Sequence, residues 1–182
     1  QNLPFIGVGL DEWRNTQSSI AFVSYLDNLV EKPALSGAFS SRYWGYLPDV
    51  LLNKDIKTNW IHFYLKHEFI PDTTIAAKFI RLFNKTNQNK QIHVTLGTFL
   101  NIWVVIRSIR DYIILAFCSN RLTNSLRFIN IPHSYLWPLF SDEWLDSFNG
   151  TVSMSNVLTL NLYEEAMRNL PPQRMGLYLQ EN

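Results

Sequence analysis

Short apolar runs alternate along this chain with longer amphipathic ones, and polar or helix-breaking residues separate them. Ile20-Ala21-Phe22-Val23-Ser24-Tyr25-Leu26 predicts a first strand that ends at Asp27. A segment of small and polar residues, Ser36 to Ser41, follows it, and Pro48 introduces a short helix through Val50-Leu51-Leu52. Thr58 to Leu65 predicts a second strand, because its β-branched and aromatic residues fit a pleated surface better than a helix. Pro71-Asp72-Thr73 opens a helix. Asp72 or Thr73 can cap it by accepting from an unpaired first-turn amide, and Ile75, Ala76, Phe79, Ile80, Leu82 and Phe83 share one face.

After the polar stretch Asn84 to Lys90, Gln91-Ile92-His93-Val94-Thr95-Leu96 predicts a third strand. Gly97 then turns the chain into a long helix from about Thr98 to Cys118. Leu126 to Ile131 is a candidate fourth strand, closed by Pro132. Ser141 is placed to cap a short helix carrying Trp144, Leu145 and Phe148, which Gly150 breaks. A further helix from Ser153 to Asn169 stops at Pro171-Pro172, and Met175 to Leu179 is a last strand candidate.

This alternation predicts an α/β fold: a Rossmann-like three-layer domain with a mostly parallel sheet and helices on both faces. Nearly continuous apolar strands agree with burial on both sides of the sheet. Residues 1–170 are expected to form that domain. Residues 171–182 are expected to form a hinge and the first strand leading to a second domain absent from this chain, since the sequence stops directly after an apolar run.

Composition narrows the class. Of 182 residues 47% are hydrophobic and 17% charged, which suits a packed core rather than disorder. Aromatics reach 14%, enough to fill a thick core and leave rings for a sugar or a partner domain. The net charge of +1, with basic residues scattered, argues against a nucleic-acid partner. The single cysteine, Cys118, reads as a small buried hydrophobe, and such low cysteine use fits the cytosol. The most apolar stretch, Phe99 to Phe117, is interrupted by Arg107, Arg110 and Asp111; it reads as a core helix and not a membrane span.

No glycine-rich phosphate cradle and no nucleophile-elbow motif occurs. His62, His67, His93 and His133 fall on different elements without metal-ligand spacing, so no metal is expected. The segment Phe39-Ser40-Ser41-Arg42-Tyr43-Trp44-Gly45-Tyr46-Leu47-Pro48 follows the first strand, where ligands approach an open α/β sheet. Arg42 can hold a carboxylate or phosphate through paired donors, and Tyr43 and Trp44 can stack on a sugar or base. A loop whose rings merely cover the sheet edge is the plainer alternative. On the second strand, alternation puts Trp60 and His62 on one face and Asn59 on the other. His62 can act as a base near neutral pH or sit in the core as a hydrogen-bonded histidine. Asp27 suits a turn, and Asp142-Glu143 point too far apart on a helix to converge on one substrate. Glu181 and Asn182 follow the last strand, where a cleft would open if a second domain continues the chain.

Three blocks together carry a resemblance: Ser41-Arg42-Tyr43-Trp44-Gly45-Tyr46-Leu47-Pro48, Ile56-Lys57-Thr58-Asn59-Trp60-Ile61-His62 and Gly176-Leu177-Tyr178-Leu179-Gln180-Glu181-Asn182. In this order they resemble bacterial surface-carbohydrate biosynthesis proteins of O-antigen and capsule loci, which are read as glycosyltransferases. Tyr46 stands where that family usually has an acid. The resemblance implies a GT-B-like pair of Rossmann-like domains across a cleft, with a nucleotide sugar and a glycan acceptor as substrates and no other cofactor. It implies a cytoplasmic place, on the inner face of the inner membrane where the enzyme is peripheral. This half would hold the acceptor through Arg42, Tyr43, Trp44, Asn59 and Asn182, with His62 and Glu181 as candidate catalytic groups, and would be inactive alone. The competing expectation is a non-catalytic sugar-binding or scaffold domain.

Overall fold

The structure, a computed structural model, describes residues 3–88, 90–128 and 137–178. The chain divides into two compact units, residues 1–100 with 165–182, and residues 101–164.

The first unit is built on four parallel strands, β1 (Ile20–Tyr25), β2 (Thr58–Phe63), β3 (Gln91–Thr95) and β4 (Met175–Tyr178), in the order β3-β2-β1-β4. The α/β expectation holds, and helices flank an all-parallel sheet in a Rossmann-like arrangement. The strand from Met175 onward, expected to lead out of this domain, pairs with β1 and extends the same sheet.

Register places the core. Phe22, Trp60 and His93 are neighbours across β1, β2 and β3, and two residues further on so are Ser24, His62 and Thr95. Residues two apart on a strand share a face, so both rows lie on the same side. Helix α4 (Thr73–Thr86) covers that side with Ala76, Phe79, Ile80 and Phe83, all buried. Phe22 and Trp60 stack at 4.1 Å between ring centres and 8° between planes, an arrangement worth about 1 kcal/mol beyond simple burial. The opposite side carries Ala21, Val23, Ile61, Ile92 and Val94, also buried. Helix α1 (Leu10–Arg14) starts against Val94 at Gly9, and its buried Trp13 donates from Nε1 to Ala166 O at 3.0 Å.

Local chemistry explains the ends of α4. Asp72 caps it, accepting from Ile75 N at 2.8 Å, as the Pro-Asp-Thr sequence predicts. Near its other end, buried Asn84 donates to His93 O at 2.9 Å and accepts from His93 N at 2.7 Å. β3 is an edge strand, and this amide occupies both backbone groups of His93 that a further strand would otherwise take. Two short helices, α2 (Glu31–Leu35) and α3 (Leu47–Asn53), punctuate the chain between β1 and β2.

The second unit comprises α5 (Ile102–Phe128), α6 (Trp137–Asn149) and the greater part of α7 (Thr151–Arg168). Leu126–Phe128, assigned from the sequence to a fourth strand, continue α5 instead; Ile129–Ile131 lie outside the described residues. Backbone hydrogen bonding carries the helix on where the local apolar pattern fitted either structure. α6 begins before Ser141, which is therefore inside the helix rather than its cap. Tyr112 Oη donates to Asn149 O, and Asn161 Nδ2 donates to Asp111 Oδ2 at 3.0 Å, tying α5 to α6 and α7. Among the described side chains of α5, the buried ones, Val104, Ser108 and Ser119, fall on one side of the helix. Ile102, Trp103, Ile106, Ile109, Ile113, Ile114 and Phe117 are 48–70% exposed, so the core-helix expectation holds for one face alone. Cys118 is exposed, against expectation, because it falls outside the packed side. Among the described residues, no helix is long and apolar enough to cross a membrane.

Candidate functional site

In an open parallel sheet, ligands bind beyond the carboxyl ends of the strands where the strand order reverses. Here the chain moves outward from β1 to β2 and β3, then returns to the far side of β1 with β4, so the reversal lies between β1 and β4. The first polar residues past β1 are Asp27 and Asn28, with Asn28 Nδ2 donating to Asp27 Oδ1 at 3.0 Å, a turn role in keeping with the sequence.

The loop singled out in the sequence is pinned at this end of β1. Val30 N donates to Ser40 O at 3.0 Å and Arg42 N to Asn28 O at 2.8 Å, and Leu29 and Ser41 form an antiparallel bridge. A tight turn follows, with Gly45 N donating to Ser41 O at 2.9 Å and Gly45 at φ +53°. These bonds hold Arg42 and Tyr43 beside the segment that leaves β1, and both side chains are exposed.

Trp44 has a different place. Its Nε1 donates to Ser24 Oγ at 2.8 Å, and its ring meets Phe22 edge-on at 5.1 Å and Trp60 at 5.7 Å. The ring is anchored in the core and closes the end of the Phe22–Trp60 stack. Stacking on a ligand therefore falls to Tyr43 and to Tyr46, which is 85% exposed and which the sequence reading set aside.

His62 and Asn59 are both fully buried. They lie on opposite faces of β2, as alternation predicts. Asn59 Oδ1 accepts from Thr16 Oγ1 at 2.7 Å and its Nδ2 donates to Gln173 Oε1 at 3.1 Å, which ties the segment before β1 to the segment before β4. That is an internal brace near the amino ends of the strands, remote in register from the carboxyl edge. His62 Nε2 lies 3.0 Å from His93 Nδ1, and the rings are 10° from parallel. Burial lowers the His62 pKa to about 3. Burial, followed by repulsion from His62, holds His93 well below the usual histidine range. Both rings are neutral at pH 7, enclosed by Phe39, Trp60 and Phe83. A base must reach the proton it removes, and His62, fully buried against His93, Trp60 and Phe39, presents no ring nitrogen at the surface in this structure.

The pairing was legible in principle. With β2 beside β3, His62 and His93 fall on one face two register positions apart, but the register itself is not written in either strand alone. Glu181 and Asn182 lie outside the described residues. At the opposite end of the sheet, a shallow cavity of about 270 Å³ is lined by Glu12, Asn15, Thr16, Gln17, Lys57 and Ile92. Among the described residues no group of three or more His, Cys, Asp or Glu side chains could hold a metal. Comparison with protein-family profiles, with curated proteins and with solved structures finds no match.

Proposed function

We propose that this chain is the acceptor-holding α/β domain of a GT-B-like glycosyltransferase, one that moves a sugar from a nucleotide-sugar donor onto a bacterial surface glycan such as O-antigen or capsule. The observation that carries this reading is the pinning of Arg42 and Tyr43 at the carboxyl end of β1, beside the reversal of strand order. A guanidinium there suits an anionic acceptor group, and the exposed rings of Tyr43 and Tyr46 suit a sugar face. The three sequence blocks that resemble surface-carbohydrate biosynthesis proteins support it further. One of them forms the Arg42 loop, and the other two run through β2 and β4, the strands on either side of β1. In this reading the donor is held mainly by a second domain, and the work of this half is orientation of the acceptor hydroxyl. The reaction belongs on the cytoplasmic face of the inner membrane, where activated sugars are available.

The test is sugar transfer by the natural polypeptide that contains this domain. Arg42→Ala and Tyr43→Ala should each lower transfer while thermal unfolding is unchanged. Unchanged transfer in both variants overturns the reading.

One observation favours a second reading, a non-catalytic sugar-binding or scaffold domain: the histidine expected to act as a base is fully buried. In that case the same variants weaken glycan binding, and no combination of nucleotide sugar and acceptor yields product.

A further inference from the structure

The cavity at the amino ends of the strands is a feature that the loop at their carboxyl ends does not account for. It holds about 270 Å³, just under the roughly 300–1,000 Å³ of sites for drug-sized ligands, so it suits a small molecule. Glu12 reaches it from α1, and Asn15, Thr16 and Gln17 from the segment between α1 and β1. Lys57, the residue before β2, and the buried Ile92 of β3 complete the lining. All six belong to the unit that carries the sheet.

Hydrogen bonds within the lining decide which groups are left for a ligand. Thr16 Oγ1 is committed: it donates to Asn59 Oδ1 at 2.7 Å and accepts from Ser18 N at 3.1 Å. Asn15 Nδ2 donates to Asp11 O at 2.9 Å, which leaves Asn15 Oδ1, an acceptor. Gln17 Oε1 accepts from Lys57 Nζ at 3.3 Å, which leaves Gln17 Nε2, a donor. A carbonyl only accepts and an ammonium only donates, so neither amide can be turned round. The Lys57 ammonium keeps donors to spare. Its charge also acts on Asp55, but Lys90 already holds that carboxylate at 2.7 Å. Glu12 is partly buried and makes no hydrogen bond or ion pair among the described residues.

The free groups therefore form two pairs. Glu12 and Asn15, one helical turn apart at the end of α1, accept. Gln17 and Lys57, in contact with each other, donate. Glu12 and Lys57 face one cavity without pairing with each other, so the cavity has no net charge but two separated charges. A phosphate-bearing ligand would bring excess negative charge to a single cation. An uncharged polyol would give neither charged group a counter-charge.

We propose that this cavity binds a small zwitterion of the α-amino-acid class. Its ammonium group lies toward Glu12 and Asn15 Oδ1, its carboxylate toward Lys57 and Gln17 Nε2, and its carbon chain on Ile92. The bound molecule links α1 to the residues that lead into β1 and β2, beside the Thr16–Asn59–Gln173 brace, and so stabilises the amino end of the sheet. The site is at the other end of the strands from Arg42 and stands whether or not that loop holds an acceptor.

The test is isothermal titration calorimetry and thermal unfolding of the chain with L-alanine and L-serine. Acetate and ethylammonium serve as the separate halves of the zwitterion. Either amino acid should bind saturably and raise the unfolding midpoint, and each half alone should bind roughly tenfold more weakly or less. Glu12→Gln and Lys57→Met should each weaken amino-acid binding roughly tenfold or more, with unfolding of the unliganded chain unchanged. No saturable binding of either amino acid at about 10 mM overturns the proposal, as does equal binding in either variant. Acetate binding as tightly as L-alanine also overturns it, and makes the cavity a simple anion site.

Discussion

His62 Nε2 and His93 Nδ1 lie 3.0 Å apart, within one hydrogen bond, and both rings are fully buried between aromatic side chains. Protonating either neutral ring would place a cation in a site with no acid among its described ring neighbours. The folded state therefore keeps both histidines neutral, whereas the unfolded chain protonates them near pH 6.5. Between that pH and the lowered folded values, about 3 for His62, the unfolded state binds more protons. Stability from this pair is complete above pH 6.5 and is lost as pH falls below it. The limiting slope is about 1.4 kcal/mol per pH unit for each histidine. Urea unfolding midpoints from neutral pH down to about pH 4.5 should fall steeply, above the range where carboxylates titrate. His62→Gln/His93→Gln should flatten that dependence; an equal slope in the variant would show that other groups set it.

β1, β2 and β3 were legible because each is a local run rich in β-branched or aromatic residues. β1, β2 and β3 begin at Ile20, Thr58 and Gln91, where the pattern places them. The cap at Asp72 was legible for the same reason, since its chemistry lies within three residues. What escaped the sequence is non-local. Trp44 reads as a ligand platform until Ser24 and Phe22, on a strand twenty residues earlier, are seen to hold it. Leu126–Phe128 look like a strand start because leucine and phenylalanine suit either structure; the preceding helix decides the outcome. The exposed face of α5 was hidden by its composition, since isoleucines on a packed side and on an open side give the same pattern.

Asn84 closes the outer edge of the sheet. Its amide makes two hydrogen bonds to the backbone of His93 at a position only 6% exposed. Asn84→Leu would leave a buried N–H and C=O without partners, at a cost of about 2–4 kcal/mol. The midpoint of chemical unfolding should shift by that amount. The variant should also form β-rich aggregates more readily, because the edge of β3 is then open to another strand. A shift below about 1 kcal/mol would mean the edge is satisfied by other groups.

Two glycines with positive φ separate backbone strain from crowding. Gly9, at φ +75°, would place a Cβ 2.9 Å from His93 O and 2.8 Å from Asn84 Nδ2. Gly45, at φ +53°, has open space at the same position. Gly45→Ala should cost about 1 kcal/mol, the ordinary penalty of a left-handed residue. Gly9→Ala adds a collision with backbone and should cost clearly more, about 3 kcal/mol where strain and overpacking combine. Equal losses in thermal or chemical unfolding would show that α1 can move away from β3 without penalty.

Arg42 and Trp44 are two residues apart and should answer opposite measurements. Trp44 holds Ser24, Phe22 and Trp60, so Trp44→Phe loses one hydrogen bond and part of a ring contact, about 1–2 kcal/mol of stability. Its effect on sugar transfer or glycan binding should be no larger than the loss of folded protein explains. Arg42 is exposed, and only its backbone N–H is bonded to the segment after β1. Arg42→Ala should change stability by less than about 0.5 kcal/mol, yet weaken binding of an anionic acceptor. Arg42→Lys keeps the charge but not the paired donors, and should restore only part of that binding. Unfolding curves and titration with the acceptor, run on the same three variants, separate the roles. Full retention of binding in Arg42→Ala would remove the loop from the site, because no other exposed Arg or Lys lies in the turn from Ser41 to Tyr46.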